Sequence, residues 1–410
     1  MTRGETVRVV VQKYGGSSVA DVGKIQTVAT KVAAAREAGR RVVVVVSAMG
    51  DTTDELLALA RQVCDSPARR ELDMLLSAGE RISMALLSMA LNARGVPAVS
   101  FTGSQSGIVT SDSHTNARIV EVRPFRVQDE LERGRVVIVA GYQGVSYRKE
   151  VTTLERGGSD TTAVALAAAL DADCEIYSDV DGVKSADPRV VPAARHLAEL
   201  GYEEMQELAE AGARVLNAQA VEFAKQRGIA IYARATRGGG ATIVRRFPAR
   251  SPGRVIGVAS ESGLVSLELP DGTPQALVRL LAQLDERGAP GKQVLFHAGA
   301  GGGGAASLVL SLENLHDWPA LKRALAAGPG TRVREGVGAV SAIGAGINAS
   351  FRHLRRACKR AVAERLTLLG VSTSSFRISL LLPEAELVPA VRALHDELVE
   401  QGEPVDDGTA

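Results

Sequence analysis

The chain has 410 residues and a mass of 42.9 kDa, more than a single core usually accommodates, so two or three domains are expected. With 48 basic and 47 acidic residues the net charge is +1, which gives no long-range field to gather nucleic acid or anionic lipid. Hydrophobic residues make up 45% and aromatics only 3%, so the core must be built from Ala, Val, Leu and Ile, as in α/β proteins with parallel sheets covered by helices.

In chain order, Val7–Gln12 reads as a strand, followed by Val22, Ile25, Ala29 and Val32 at helical spacing, with Gly39 where a helix C-cap belongs. Further strands are expected at Val42–Ser47, Val136–Ala140, Glu175–Ser178 and Ile229–Ala233, alternating with helix-length segments. Residues 1–236 thus form one catalytic-sized domain. The Gly-, Pro- and Arg-rich stretch 237–254 reads as a linker. Beyond it, strand–helix–strand units are expected around Val265–Leu269, Pro274–Arg287 and Leu308–Leu312, and around Ala339–Ile343, Ala349–Leu369 and Phe376–Leu382. They divide 255–410 into two small α+β modules, about 255–330 and 335–410. Apolar runs such as Val42–Val46 are too short to span a bilayer, and Met1–Arg8 has no apolar signal centre. Cys64, Cys174 and Cys358 form no CxxC pair, as expected in a reducing compartment, so a cytoplasmic protein without membrane or nucleic-acid partner is expected.

Five motifs carry chemistry. Lys13-Tyr-Gly-Gly-Ser-Ser18 ends the first strand, where two glycines let backbone approach a phosphate and Lys13 adds a positive charge. It lacks the spacing of an ordinary P-loop. Ser47-Ala-Met-Gly-Asp-Thr-Thr53 presents hydroxyls at the same carboxyl edge of the sheet, where ligands of open α/β sheets bind. Gly79-Glu80-Arg81 is a charged trio beside the apolar Leu75-Leu76, with a helix N-terminus or a solvated salt bridge as the competing reading. Arg156-Gly-Gly-Ser-Asp-Thr-Thr162 opens a helix through Leu170 and suits a carboxylate or phosphate, with Asp160 as a plain N-cap the competing reading. Ser178-Asp-Val-Asp-Gly182 and Ser185-Ala-Asp-Pro-Arg189 form a loop fit for a nucleotide or simply a double turn. Two glycine loops with Lys, Arg and Asp describe a phosphoryl-transfer site, where positioning and charge neutralisation carry the chemistry.

These segments, with Leu76-Ser-Ala-Gly-Glu-Arg-Ile82 and Phe101-Thr-Gly-Ser-Gln-Ser-Gly107, resemble the aspartate kinase family of the amino-acid kinase fold, in the single-activity form with two C-terminal ACT modules. The resemblance implies a mainly parallel sheet sandwiched by helices, and transfer of the ATP γ-phosphoryl to the β-carboxylate of L-aspartate, the first step toward lysine, threonine, methionine and isoleucine. It further implies that Lys13 neutralises the transferring phosphoryl, Gly15 and Gly16 donate N–H groups to it, and Asp160 orients Lys13. Ser47 and Thr53 would line the aspartate and phosphate pocket, while Glu80 would hold the substrate ammonium and Arg156 its α-carboxylate. Ser17, Ser159, Asp179, Lys184, Asp187 and Arg189 would contact ATP. Mg²⁺ would ride on the nucleotide phosphates and water, with no metal site on the protein. A homo-oligomer through the ACT modules and an amino-acid effector are implied as well.

This sequence departs from the family pattern at Glu155, where glycine is usual, and at Lys184, where tyrosine is usual. The first module reads Leu269-Pro-Asp-Gly-Thr-Pro-Gln-Ala276 instead of a Pro-Gly turn, and Leu295-Phe-His-Ala-Gly-Ala-Gly-Gly-Gly-Gly304 where polar inhibitor contacts are usual. Feedback control is therefore expected to be weakened. A kinase for an aspartate analogue and a non-catalytic amino-acid-sensing subunit are the competing readings.

Overall fold

The structure is a computed structural model, and it describes residues 8–401 apart from 156, 214, 237, 247, 249–252, 290, 299–303, 314, 316–317 and 328–329. Arg156 and most of the glycine run therefore lie outside the described residues. The chain divides into two compact units: residues 1–183, 196–209 and 214–250 in the first, 184–195, 210–213 and 251–410 in the second.

In the first unit the strands are β1 (Val9–Tyr14), β2 (Arg41–Val46), β3 (Ala98–Phe101), β4 (Ile108–Thr110), β5 (Ile119–Val122), β6 (Val136–Ala140), β7 (Gln143–Ser146), β8 (Val151–Thr153), β9 (Asp173–Ser178), β10 (Glu199–Gly201), β11 (Ile231–Ala235) and β12 (Ala241–Arg245). An eight-stranded sheet runs β10-β12-β11-β9-β1-β2-β6-β3, parallel except for the β11–β12 pair. A four-stranded sheet, β5-β4-β7-β8, stands apart from it. The centre of the large sheet is formed by Val10–Val11, Val42–Val46 and Val136–Ala140, all buried, because β-branched side chains pack well on a pleat covered on both faces.

Strand alternation assigns the two faces. Val10, Tyr14, Val42, Val44 and Val46 pack with Ile25, Val28 and Val32 of α1 (Val22–Glu37) and with Leu87 and Leu91 of α3 (Arg69–Asn92), a 24-residue helix that follows α2 (Thr52–Val63). Lys13, between Gln12 and Tyr14 on β1, points the other way, toward the helix Gly158–Ala169. By length and composition α3 is apolar enough to cross a membrane, but 56% of its most apolar stretch is buried, with Asp73 and Glu80 among its buried residues.

The strands expected in the first unit lie within two residues of those observed, whereas in the second unit Gly257–Gly272 and Arg332–Ile343 begin eight and seven residues before the strands expected there. The stretch read as a linker differs: residues 241–245 form β12, because Thr242 and Val244 turn inward and pair with the neighbouring strands. Helix α1 begins at an Asp21 cap whose side chain accepts from the Lys24 N–H at 2.8 Å, and Gly39 beyond its end has φ +80°.

The second unit is one antiparallel sheet in which Gly257–Gly272 and Arg332–Ile343 are the central neighbours. Two helix-covered cores lie on it, beside a smaller cluster of Leu264, Val309 and Val337. One gathers Leu267, Leu280, Leu284, Leu308, Leu321 and Leu325 beneath helices Pro274–Glu286 and Trp318–Ala327. The other gathers Val340, Ala357, Leu380, Val391 and Leu394 beneath Arg352–Ala363 and Leu387–His395. The helix expected over Ala349–Leu369 is thus shorter, ending where Glu364 caps it. Helix Pro274–Glu286 starts on Thr273, whose side chain accepts from the Ala276 N–H, with Pro274 at the first helical position.

Candidate active site

The site is assembled at the carboxyl ends of β1, β2 and β9. At the end of β1, Lys13 Nζ lies 2.6 Å from Asp160 Oδ1, and both side chains are nearly buried. Asp160 sits in the first turn of α5 (Gly158–Ala169), the helix following α4 (Phe125–Glu132). The cap position is held by Gly157 at φ +83°, so Asp160 is not an N-cap. Its other oxygen accepts from the Asn217 backbone N–H at 3.2 Å. A Cβ on Gly157 would meet Asn217 Nδ2 at 2.7 Å, so this turn requires glycine both for its dihedral and for the close approach of Asn217. Asn217 was not among the candidates. Its only sequence signal was an Asn at the start of a helical stretch, where it caps Ala218–Arg227.

The glycine turn after β1 is partly committed. The Gly15 N–H, expected at the phosphate, donates here to the Tyr177 carbonyl at 3.2 Å. This bond ties the turn to β9. Gly16 opens a single 3₁₀ turn through Ser18, and the first N–H groups of such a turn have no partner within it. Among the described residues the N–H groups of Gly16 and Ser17 make no hydrogen bond. The turn is pinned from below by Gly50, whose N–H donates to the Gly16 carbonyl at 3.1 Å, and from the side by the Ser18 hydroxyl, 2.6 Å from that of Thr236. A Cβ on Gly16 would lie 3.0 Å from the Ala48 carbonyl oxygen, so the two loops approach too closely for a larger residue.

Glu80 completes this floor. It lies in the middle of α3 and is buried, so the trio 79–81 is neither a helix start nor a solvated pair. Its Oε1 accepts from the Ala48 N–H at 3.0 Å, while Oε2 is buried without a hydrogen-bond partner among the described residues. Burial pushes its carboxyl up to about 7, and the Ala48 bond offsets this only in part. A buried carboxylate with one unused oxygen is neutralised by a proton or by a cation. Ser47, at the start of the same loop, is half-buried and its carbonyl accepts from the Ser83 hydroxyl at 2.7 Å. Thr53 lies in the first turn of α2, whose Thr52 flanks Gly79.

Gly79 is the residue that lets α3 reach this loop, since a Cβ there would stand 2.8 Å from that of Ala48. Gly79→Ala is expected to lose about 1–3 kcal/mol of stability, the usual cost of overpacking. Chemical denaturation checks this, and an unchanged midpoint would mean that α3 moves freely against the loop.

Ser159 is buried against Gly141, and Asp179 is exposed beyond β9. Lys184, Asp187 and Arg189 belong to the second unit. There Arg189 Nη2 and Asp187 Oδ2 pair at 2.7 Å, which holds the Asp187 carboxyl below its ordinary range. Sequence reading also missed Asp73 of α3. It is wholly buried and is held by the Thr153 hydroxyl, the Thr115 N–H at 3.0 Å and His114 Nδ1 at 2.6 Å. Burial still raises its carboxyl.

Residues 8–233 match the amino acid kinase family model. The chain is 46% identical to the aspartokinase of Mycobacterium tuberculosis H37Rv, over 95% of both chains, and 42% identical to that of Corynebacterium glutamicum, over 96% of this chain and 97% of the relative. The chain belongs to the aspartokinases of the amino acid kinase family. Its activity is that of an aspartate kinase. The structure of E. coli aspartokinase III in complex with aspartate and ADP, described as the R-state, superposes with a TM-score of 0.82 at 25% identity, covering 95% of this chain and all of that one. Neither an analogue-specific kinase nor a non-catalytic subunit is favoured over this assignment.

Proposed function

We propose that Glu80 and Lys13 divide the aspartate kinase reaction between substrate capture and phosphoryl transfer. The observation that carries this reading is the buried, half-satisfied Glu80 carboxylate of α3, which accepts from Ala48 on the loop that supports the glycine turn beside Lys13. In this reading Glu80 Oε2 accepts from the α-ammonium of L-aspartate, and Arg156 grips the α-carboxylate. The β-carboxylate is then left to attack the γ-phosphorus of ATP, forming a new P–O bond as the bond to the ADP oxygen breaks. Charge gathers on the transferring oxygens, and Lys13, held by Asp160, meets it with the free N–H groups of Gly16 and Ser17. Ser47 and Thr53 line the pocket. Ser159 and Asp179 are assigned to the nucleotide.

Magnesium fits this arrangement as a passenger of the nucleotide. Among the described residues no three His, Cys, Asp or Glu side chains gather to ligate a metal, whereas Mg²⁺ favours phosphate oxygens and water. When bound it draws charge from the β- and γ-phosphates. Incubating the protein with ATP, Mg²⁺, L-aspartate and hydroxylamine tests the reading through the hydroxamate that traps the acyl phosphate. Absence of hydroxamate would overturn it.

A cytoplasmic homo-oligomer is part of this proposal. Among the described residues the edge strands of the second unit's sheet, Gly291–Ala298 and Gly370–Thr373, have an unpaired side, and such edges are commonly covered by another chain. Control by lysine or threonine is expected to be weak. On Gly291–Ala298 the side chains of Leu295 and His297 are exposed and Phe296 turns toward the Leu-rich core, so at the positions expected to contact an amino-acid effector Leu295 and Phe296 offer it no hydrogen bond. An effector shifts populations only through differential affinity. Titrating both amino acids into the hydroxamate assay checks this, and strong inhibition below about 1 mM, near 4 kcal/mol of binding, would contradict it.

A further inference from the structure

The sheet face opposite Lys13 carries a second polar cluster that the reaction does not use. Gln12 of β1 is paired in register with Glu175 of β9, and its amide donates to Glu175 Oε2 at 2.9 Å. The Tyr177 hydroxyl donates to the same oxygen at 2.9 Å. Glu175 Oε1 accepts from Arg40 Nη1 at 3.3 Å, while Arg234 Nε, on β11, stands 3.7 Å away and beyond hydrogen-bond reach. With Lys31 these side chains enclose a cavity of about 290 Å³, whose remaining wall is Ala34, Ala35 and Ala38 on the last turns of α1.

We propose that this cavity is a binding site for a compact dianion of the phosphomonoester class. Three cations, Lys31, Arg40 and Arg234, face one carboxylate, Glu175, which leaves a formal surplus of two positive charges in the lining. Neutralising Glu175 requires one of them. The others repel each other at short range unless an anion joins them. Arg234 Nε is buried with no hydrogen-bond partner, and Lys31 pairs with no carboxylate among the described residues. A phosphate offers acceptors to both guanidinium forks and to the ammonium, and it carries the two charges that the lining lacks.

The aromatic surface excludes a stacked base. The Tyr177 ring lies on Tyr14 with centroids 4.8 Å apart and planes 8° apart, and the Lys31 ammonium stands 5.2 Å from the centroid of the same ring. Neither ring face is left for a planar ligand. The volume is near the lower bound of about 300 Å³ for small-molecule sites, so it admits a phosphate with a few carbon atoms against the alanines. Arg40 and Arg234 keep 48% and 39% of their side chains exposed, which leaves an entrance from solvent.

The test is calorimetric titration of the full chain, without nucleotide and at constant ionic strength, with inorganic phosphate and with glycerol 3-phosphate. Lys13→Ala protein serves to set aside anion binding at the transfer site. Saturable binding should persist in Lys13→Ala and weaken at least tenfold in Lys31→Gln/Arg40→Gln. That second variant leaves Glu175 with Gln12, Tyr177 and Arg234, and its thermal midpoint and hydroxamate activity report that the fold is intact. The proposal is overturned if wild type shows no saturable binding below about 10 mM, roughly 2.7 kcal/mol. Binding that vanishes in Lys13→Ala, binding unchanged in Lys31→Gln/Arg40→Gln, or succinate binding as tightly as the phosphates would each overturn it as well.

Discussion

Replacing Lys13 by alanine is expected to lower turnover in the hydroxamate assay by about 10²-fold or more, the scale of losing one preorganised donor to a charged transition state. The side chain is 12% exposed and is fixed by its 2.6 Å pair with Asp160, so little reorganisation is needed when charge develops beside it. Among the described residues, the same substitution leaves the Asp160 carboxylate in a nearly buried place with only the Asn217 N–H of its former partners. Loss of stability is therefore expected alongside loss of turnover, on the order of 3–5 kcal/mol for breaking a buried pair. The two effects separate in Lys13→Ala/Asp160→Asn. Removing the orphaned charge should recover much of the denaturation midpoint and none of the turnover. If turnover recovered together with stability, Lys13 would be a structural residue and the site would have to be sought elsewhere.

The parts of the fold that were legible in the sequence are those set by local pattern. Val42–Val46 announces a buried central strand, and Gly39 and Asp21 mark the ends of α1, because β-branching, positive φ and capping are properties of single residues. Thr242 and Val244 were submerged in a stretch rich in Gly, Pro and Arg, although their alternation places β12 in the sheet. At the site, residue types were readable but their commitments were not. Gly15 had the composition of a phosphate donor, and here its N–H donates to Tyr177, 162 residues later in the chain. Glu80 also read as a helix start or a surface pair because nothing near it in sequence reveals that Gly79 allows Ala48 to pack against the helix there. The Asp73, His114 and Thr153 cluster was missed for the same reason, its members lying 41 and 80 residues apart from Asp73. Long-range pairing of this kind carries no local signal.

With the substrate ammonium at Glu80, as proposed, the enzyme's use of aspartate is expected to depend on pH in a definite direction. Its carboxyl is raised to about 7 from an ordinary 4.5, with burial as the main cause. Between those values the unfolded chain releases the proton while the folded chain keeps it, so stability falls as pH rises through this window and then levels off above 7. The cost reached there is on the order of 3 kcal/mol. An ammonium placed at Oε2 offsets that cost, which makes binding of the substrate and ionisation of Glu80 one linked event. Below pH 7 the proton must leave before the ammonium can enter. At saturating Mg²⁺-nucleotide, kcat/KM for aspartate is therefore expected to fall about tenfold for each pH unit below 7 and to be flat above it, as one essential ionisation dictates. Aspartate itself has no group that titrates in this range. Glu80→Gln keeps the shape of the side chain and removes the charge, so KM for aspartate should rise about tenfold or more at pH 8, with KM for ATP little changed. The acid limb should disappear with it. A limb that persists unchanged in Glu80→Gln would place the ionisation on another group, and equal effects on both Michaelis constants would place Glu80 outside the aspartate pocket.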